Sequence, residues 1–415
     1  MPKAKTADSL KASCLQEDLA KGLSIVARAV AARSTLPILG SIKIASDPSS
    51  LNRIMLQATN LEIGITHFIA GHINGEGAIT VPARSFVDLI NAMPSDELVE
   101  LDVNPKTQSV SVTCGRFINN VKGTDAEEFP VIPMGSKALA SVEANDLHSL
   151  ISHVAFSAAS DESRPILTGV YTELSSAGIL MAAADGFRLS VDRIMVVTDV
   201  AGIIKMNIPA RAMSELARIM GDQKDEVAIS VSLGADGKPS QIVFGLTYTT
   251  LVSQLIDGTY PDYDAIVPKA SQTTIAVEGT ALFMACKQAN VFAREAANII
   301  SLTTRDDNTL VIQAQSAETG DNLGIVDATV TGPQVTIAFN VKYLNDLLKV
   351  MEKRPITISL NTAVDPGMFS DSTHANFHAV IMPMSIGGRV TNNSQPDGQP
   401  ADPTPVQNEG QNNPA

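Results

Sequence analysis

One phrase of thirteen residues is written three times in this chain: VPARSFVDLINAM at 81–93, IPARAMSELARIM at 208–220 and FNVKYLNDLLKVM at 339–351. The surviving pattern is apolar, Pro or Asn, Ala or Val, Arg or Lys, any, apolar, any, Asp or Glu, Leu, three free, Met. An internal repeat constrains a fold more than any other sequence feature, because each copy must build the same unit. Other anchors recur at similar offsets. Leu19, Leu147 and Leu282 sit in helix-like segments, 128 and 135 positions apart. Pro37 of LPILGSIKI and Pro165 of RPILTGVYTEL are 128 apart, and Pro130 and Pro261 are 131 apart. The unit is therefore about 125–130 residues long, repeated over 10–135, 136–268 and 269–386.

Each unit reads as helix, strands, helix, strands. Apolar residues spaced by three and four, as in Leu19, Leu23, Val26 and Val30, predict a helix with one buried face. Strict alternation in LVELDV (98–103), VAISVSL (227–233) and ITISL (356–360) predicts strands. The second helix of the first two copies is expected to start at Pro82 and Pro209, where a missing N–H costs nothing. Asn340 takes that place in the third copy as a candidate N-cap. Residues 1–9 read as a disordered extension. Residues 387–415, GGRVTNNSQPDGQPADPTPVQNEGQNNPA, lack the apolar content a core needs and read as a disordered tail.

Hydrophobic residues make up 44% of the 415, but there is no Trp and aromatics are 4%, so aliphatic side chains must build the core. Three dispersed cysteines (Cys14, Cys114, Cys286) suit buried hydrophobes in a reducing cytoplasm, not a disulfide framework or thiolate metal site. The N-terminus has no apolar stretch of signal-peptide type, and no run reaches the roughly 18 apolar residues of a membrane span. On these features the protein is expected in the cytoplasm.

Net charge is −14, which argues against a protein gripping nucleic acid over its whole surface. The charge is segregated, however. The six helical segments carry twelve Lys and Arg against ten Asp and Glu, so the acidity lies elsewhere. Basic residues recur seven apart at Lys21 and Arg28, Arg211 and Arg218, Lys287 and Arg294, and Lys342 and Lys349. Two helical turns return to nearly the same face, so four helices carry a basic stripe. The first helix of the second copy has none.

No phosphate-binding glycine loop, dinucleotide fingerprint or nucleophile elbow is present. His148 and His153 are poorly spaced for one ligand, and His374 and His378 flank a strand-like segment, so no metal site is expected. The acids of DAEEF (125–129) read as a solvated turn. A triplicated scaffold without a repeated polar cluster points to a protein that works by shape, with no cofactor.

Taken together, TLPILGSIKI (35–44), ITVPARSFVDLI (79–90), AADGFRLSV (183–191), LIDGTYPDYDAIVP (255–268), FNVKYLNDLL (339–348) and VIMPMSI (380–386) resemble the bacterial DNA polymerase III beta subunits, the replicative sliding clamps. The resemblance covers residues 10–386. It implies an α+β fold of three tandem DNA-clamp domains, two helices on antiparallel sheets in each, with two chains forming a six-domain ring. It further implies a non-catalytic processivity role: duplex DNA is encircled without regard to sequence, a clamp loader opens the ring, and polymerases and repair proteins attach by short linear motifs. Arg84, Arg211 and Lys342, and also Arg33 at the end of the first helix, would face DNA with the basic stripes. The motif pocket would be formed by Leu167, Gly186, Phe187, Arg188, Leu189, Pro261, Ile266, Asn340, Tyr343, Val380, Ile381, Met382, Pro383 and Met384. Phe187 stands where relatives often carry His, and Ala184 and Ala265 replace larger or polar residues, so peptide preference is expected to differ. A divergent paralogue of the clamp, such as an inhibitor-resistant second copy, is the alternative. The tail is expected to leave beside the pocket and screen it.

Overall fold

The structure is a computed structural model, and it describes residues 10–47, 49–221 and 224–385. The extension at 1–9 and the tail at 387–415 lie outside the described residues.

The first repeat contains β1 (Lys11–Leu15), α1 (Gln16–Val26), β2 (Ser41–Asp47), β3 (Ser50–Thr59), β4 (Ile63–Ala70), β5 (His72–Asn74), β6 (Ala78–Pro82), α2 (Ala83–Asn91), β7 (Leu98–Asn104), β8 (Ser109–Cys114) and β9 (Phe117–Lys122). The second contains β10 (Ala140–Glu143), α3 (Ala144–Val154), β11 (Gly169–Ser175), β12 (Gly178–Ala184), β13 (Arg188–Ile194), β14 (Ile203–Pro209), α4 (Ala210–Met220), β15 (Glu226–Leu233), β16 (Pro239–Gly245) and β17 (Thr249–Gln254). The third contains β18 (Thr273–Glu278), α5 (Gly279–Ala293), β19 (Ile299–Thr304), β20 (Thr309–Ser316), β21 (Gly320–Thr331), β22 (Thr336–Asn340), α6 (Val341–Met351), β23 (Pro355–Leu360), β24 (Gly367–Asp371) and β25 (His374–Ile381). A short strand, β1, β10 or β18, opens each repeat ahead of the expected helix, strands, helix, strands, because the alternating residues just before each first helix pair in a sheet.

Each repeat packs its two helices together and against its strands. The reason is periodicity. Helix α2 buries Ala83, Phe86 and Ile90, spaced three and four apart, while β7 buries every second residue, Val99, Leu101 and Val103. Helix α1 approaches β3 and β4 so closely that a Cβ on Gly22 would stand 2.7 Å from Ile69 Cγ2 and 2.9 Å from Leu56 Cδ1.

Pro82 and Pro209 stand one residue earlier than expected. They occupy the cap position, closing β6 and β14, and the helices begin at Ala83 and Ala210. Asn340 caps α6: its Oδ1 accepts from the Lys342 N–H at 3.0 Å. Arg33 is not at a helix end. Helix α1 stops at Val26, a single 3₁₀ turn follows over Ala27–Ala29, and extended backbone at Val30 carries the chain away.

The sheets do not stop at repeat boundaries. One has five strands in the order β5-β1-β7-β8-β9. The next has eight, β10-β15-β16-β17-β4-β3-β2-β6, and joins the first repeat to the second where β17 lies antiparallel on β4. The third has twelve, β14-β11-β12-β13-β25-β24-β23-β18-β21-β20-β19-β22, and joins the second to the third where β25 lies on β13. The last strand of each later repeat has thus added to an edge of the repeat before it. Among the described residues no helix is long and apolar enough to cross a membrane.

Candidate partner pocket and basic helix faces

The junction of β13 and β25 collects most of the residues expected in the motif pocket. Asp185, Gly186 and Phe187 make the turn before β13. Gly186 has φ of +92°, a conformation that suits glycine, and a Cβ there would stand 2.7 Å from Arg164 Nη1. Asp185 Oδ1 organises the turn by accepting from the Phe187 and Arg188 N–H groups at 2.8 and 3.0 Å. The ladder then sets Arg188 opposite Ile381 and Leu189 opposite Val380, and the Met382 N–H donates to the Phe187 carbonyl at 2.9 Å. From the other side, Met384 N–H donates to Ala338 O, which ties the strand's exit to β22 just before α6.

Arg188 is the hub of this site. Its side chain is only 11% exposed. Nε donates to Asp185 Oδ2 at 3.1 Å, and Nη1 donates to Asp346 Oδ2 at 2.9 Å. The guanidinium also lies over Tyr343 at 4.8 Å and Phe156 at 5.4 Å, measured to the ring centroids. Phe187 stacks on Tyr343 at 6.3 Å and is half exposed. Burial raises the Tyr343 phenol above its ordinary range, so it stays neutral.

The expected pocket residues divide by exposure. Phe187, Ile266 and Met382 offer apolar surface, while Leu189, Val380 and Ile381 are buried to 1% exposure or less. Leu189 and Val380 belong to the core beneath the site, with Ala182, Ala184 and Tyr263, whereas Ile381 packs into the core of the third repeat. Pro261 is exposed beside Tyr260, whose hydroxyl accepts from the Ala184 N–H at 3.0 Å and is pushed up to about 12 by burial. Leu167 lies half-buried in the turn Pro165–Thr168, whose Ile166 faces Gly258. Pro383, Met384 and Asn340 are half-buried.

The basic residues divide just as clearly. Arg84, Arg211 and Lys342, at one position in the first turns of α2, α4 and α6, are exposed and make no ion pair among the described residues. In each seven-apart pair the first member, Lys21, Arg211, Lys287 or Lys342, is also without an ion pair there, and Lys287 rests over Phe283. Every second member is paired. Arg28 and Arg218 share Glu215 at 3.2 and 2.7 Å, Arg294 meets Glu295 at 3.3 Å, and Lys349 meets Asp346 at 3.3 Å. The stripes are therefore half neutralised by acids that the helical spacing alone left out of account.

One cluster escaped the sequence reading. His153 of α3, Asp192 of β13 and His374 of β25 converge, although no two are near in sequence. Asp192 is 1% exposed and meets His153 Nδ1 at 2.5 Å and His374 Nε2 at 2.8 Å. His153 also stacks on Phe377. The cluster staples the second repeat to the third. At the corresponding place in the first junction, His67 Nδ1 meets Thr249 Oγ1 at 2.8 Å.

Comparison with known proteins gives one answer. Family models of the DNA polymerase III beta subunit match in order: the N-terminal domain over residues 10–133, the central domain over 141–262 and the C-terminal domain over 264–385. A beta sliding clamp of Synechococcus elongatus is 30% identical over 380 residues, covering 91% of this chain and all of the relative. A DNA polymerase sliding clamp from Bacillus subtilis superposes with a TM-score of 0.83 at 26% identity, over 91% of this chain and all of that one. A Pseudomonas aeruginosa sliding clamp, solved bound to griselimycin, gives 0.82 at 26% identity over the same shares.

Proposed function

The chain belongs to the DNA polymerase III beta subunit family, and from that membership we infer how the geometry above works. It is a sliding clamp. Two copies close a ring around duplex DNA and hold the replicative polymerase to its template.

The observation that carries this reading is the repeated junction. The same strand addition joins repeat one to two and repeat two to three, and among the described residues it leaves one edge unpaired at each end of the series. A head-to-tail contact makes a ring when its rotation closes, and in this reading six repeats, three from each copy, complete the turn. Retention then comes from topology and needs no strong grip. The six helices of each copy line the hole, and Arg84, Arg211 and Lys342 meet backbone phosphates at equivalent positions. Phosphate contacts without base readout leave the ring free to slide. The acidic remainder keeps DNA off the outside.

Partners dock at the junction of β13 and β25. Phe187, Tyr343, Ile266, Met382 and Met384 make an apolar rim over a fixed core, and methionines adapt to varied ligands. A linear motif with bulky apolar residues fits such a rim. The chain itself supplies no chemistry in this reading, works in the cytoplasm, and depends on a separate loader that uses ATP to open the ring.

The test is retention on circular DNA after loading, before and after a single cut. Release on cutting is expected. Retention on the linear product would mean direct grip and would overturn the topological reading.

A further inference from the structure

The fold re-sorts the histidines. Along the chain His153 stands near His148, and His374 near His378, and neither spacing suits one ion. In the folded chain His153 meets His374 across a carboxylate. The second junction sets His378 opposite Val191, and Val191 and Asp192 point to opposite faces of β13. His378 therefore stays on the face away from the Asp192 side chain. Ahead of it, a register shift between Ser370 and Asp371 interrupts the ladder of β24 and β25. Such irregularities re-aim side chains. His374, the first residue of β25, places Nε2 at 2.8 Å from Asp192 Oδ1, and helix α3 places His153 Nδ1 at 2.5 Å from Oδ2. One ligand-type atom from each of the three lies within 4.8 Å of the others.

Charge makes the same point independently. The Asp192 side chain is 1% exposed, and no Lys or Arg side chain pairs with it among the described residues. Its further partner is the Arg193 backbone N–H, which donates to Oδ1 at 2.7 Å. A buried carboxylate among neutral donors keeps its negative charge, and a dry interior makes that costly. A cation seated against it removes the cost. The donor set selects the kind of cation. Imidazole nitrogens suit zinc and its transition-metal neighbours, whereas magnesium and calcium prefer an all-oxygen shell. The His153 ring is already held by stacking on Phe377, with centroids 4.6 Å apart. The His374 side chain is 33% exposed, which gives an ion a way in and leaves its fourth position to water.

We propose that His153, Asp192 and His374 form a divalent transition-metal site, with zinc as the preferred ion, that staples the second repeat to the third. His153 ligates through Nδ1, Asp192 through a carboxylate oxygen and His374 through Nε2. Each imidazole binds as the neutral ring, with its proton on the other nitrogen. Zinc–nitrogen bonds of about 2.0 Å put tetrahedral ligand atoms about 3.3 Å apart, so His153 and Asp192 part by about 0.8 Å from their present contact. The first junction has a lone His67 on Thr249 at the corresponding place, so the site belongs to the second junction. The role of the ion is mechanical. It locks one end of the pairing between β13 and β25, whose other end carries Arg188 opposite Ile381.

The test uses the untagged full chain, stripped with a chelator, dialysed, and titrated with Co²⁺ while visible absorption is followed. The parent is expected to take up one Co²⁺ per chain with the absorption of a tetrahedral site, and to yield it to Zn²⁺. His374→Gln keeps a side chain able to hydrogen-bond Asp192 but loses the ligand. It is expected to weaken binding by about a hundredfold or more, beyond the loss typical of an outer-shell partner. His374→Cys restores a ligand, and is expected to recover binding and add a sulfur-to-cobalt charge-transfer band. Zn²⁺ is expected to raise the unfolding temperature of the parent and of His374→Cys, but not that of His374→Gln. No cobalt spectrum in the parent would overturn the proposal. So would equal affinity in the parent and His374→Gln, which would put the ion on another histidine such as exposed His72. Should His374→Gln fail to fold, absence of the sulfur band in His374→Cys would overturn it as well. Each readout is made on the chain without DNA, so its outcome is separate from that of the ring reading.

Discussion

Replacing Arg188 by Ala removes the group that ties the two halves of the proposed partner site together. The bond to Asp185 is well buried and charge-assisted, worth about 1.5 kcal/mol, the low end for such bonds, because Asp185 keeps its two backbone donors. The pair with Asp346 contributes less, roughly 0.5 kcal/mol, since that carboxylate is 37% exposed and screened by water. Stacking on Tyr343 and Phe156 adds about 1 kcal/mol. The sum is about 3 kcal/mol, read from urea unfolding. Part of it falls on the pocket, because Arg188 fixes the turn carrying Phe187 and the ring of Tyr343. A fluorescent peptide with Leu and Phe anchors is expected to bind about tenfold more weakly, equivalent to about 1.4 kcal/mol. Asp346→Ala alone should cost under twofold, and the double variant should differ little from Arg188→Ala. A peptide Kd within twofold of the parent, alongside a full loss of stability, would refute the argument. Arg188 would then be a strut beneath the site rather than a part of it.

Three further outcomes follow from the same geometry. Asp192→Ala leaves two imidazoles without their shared acceptor and is expected to lower unfolding stability by about 3 kcal/mol; a loss under about 1 kcal/mol in urea melts would show that the histidines find other partners. Burial and nearby Lys21 hold the His67 imidazole down at about 4, against 6.5 in an unfolded chain. The unfolded state therefore takes up a proton that the folded state refuses, so stability falls as pH drops from about 6.5 toward 4, by about 3 kcal/mol, and His67→Gln should flatten that part of the profile. Replacing Arg84, Arg211 and Lys342 together by Ala is expected to leave retention on closed circular DNA intact while lowering the salt dependence of residual DNA contact; loss of retention on circles would mean that these cations hold the DNA rather than line its path.

Much of the fold was readable because it was written three times. Repeated Pro, Leu and Met anchors are local signals, and amphipathic spacing within eleven residues is enough to place α2, α4 and α6. The Asn340 cap is equally local. Arg33 was misplaced because the apolar spacing through Val30 continues past the point where the backbone leaves the helix. The neutralised half of the basic stripes was only partly readable. Arg218 and Lys349 meet acids three residues away on their own helices, but Arg28 meets Glu215 across 187 positions. His153, Asp192 and His374 show the limit more plainly. Their spacings carry no motif, and a pairing between strands from different repeats brings them together.

The unit, its threefold use and the face each helix buries are legible along the chain, since these depend on residues a few positions apart. Which strand edges meet, in what register, and which charges are cancelled emerge once the chain is folded. Those depend on backbone ladders between segments more than a hundred residues apart, and a ladder's register is set by packing on both sides of the sheet rather than by the order of residues along one strand.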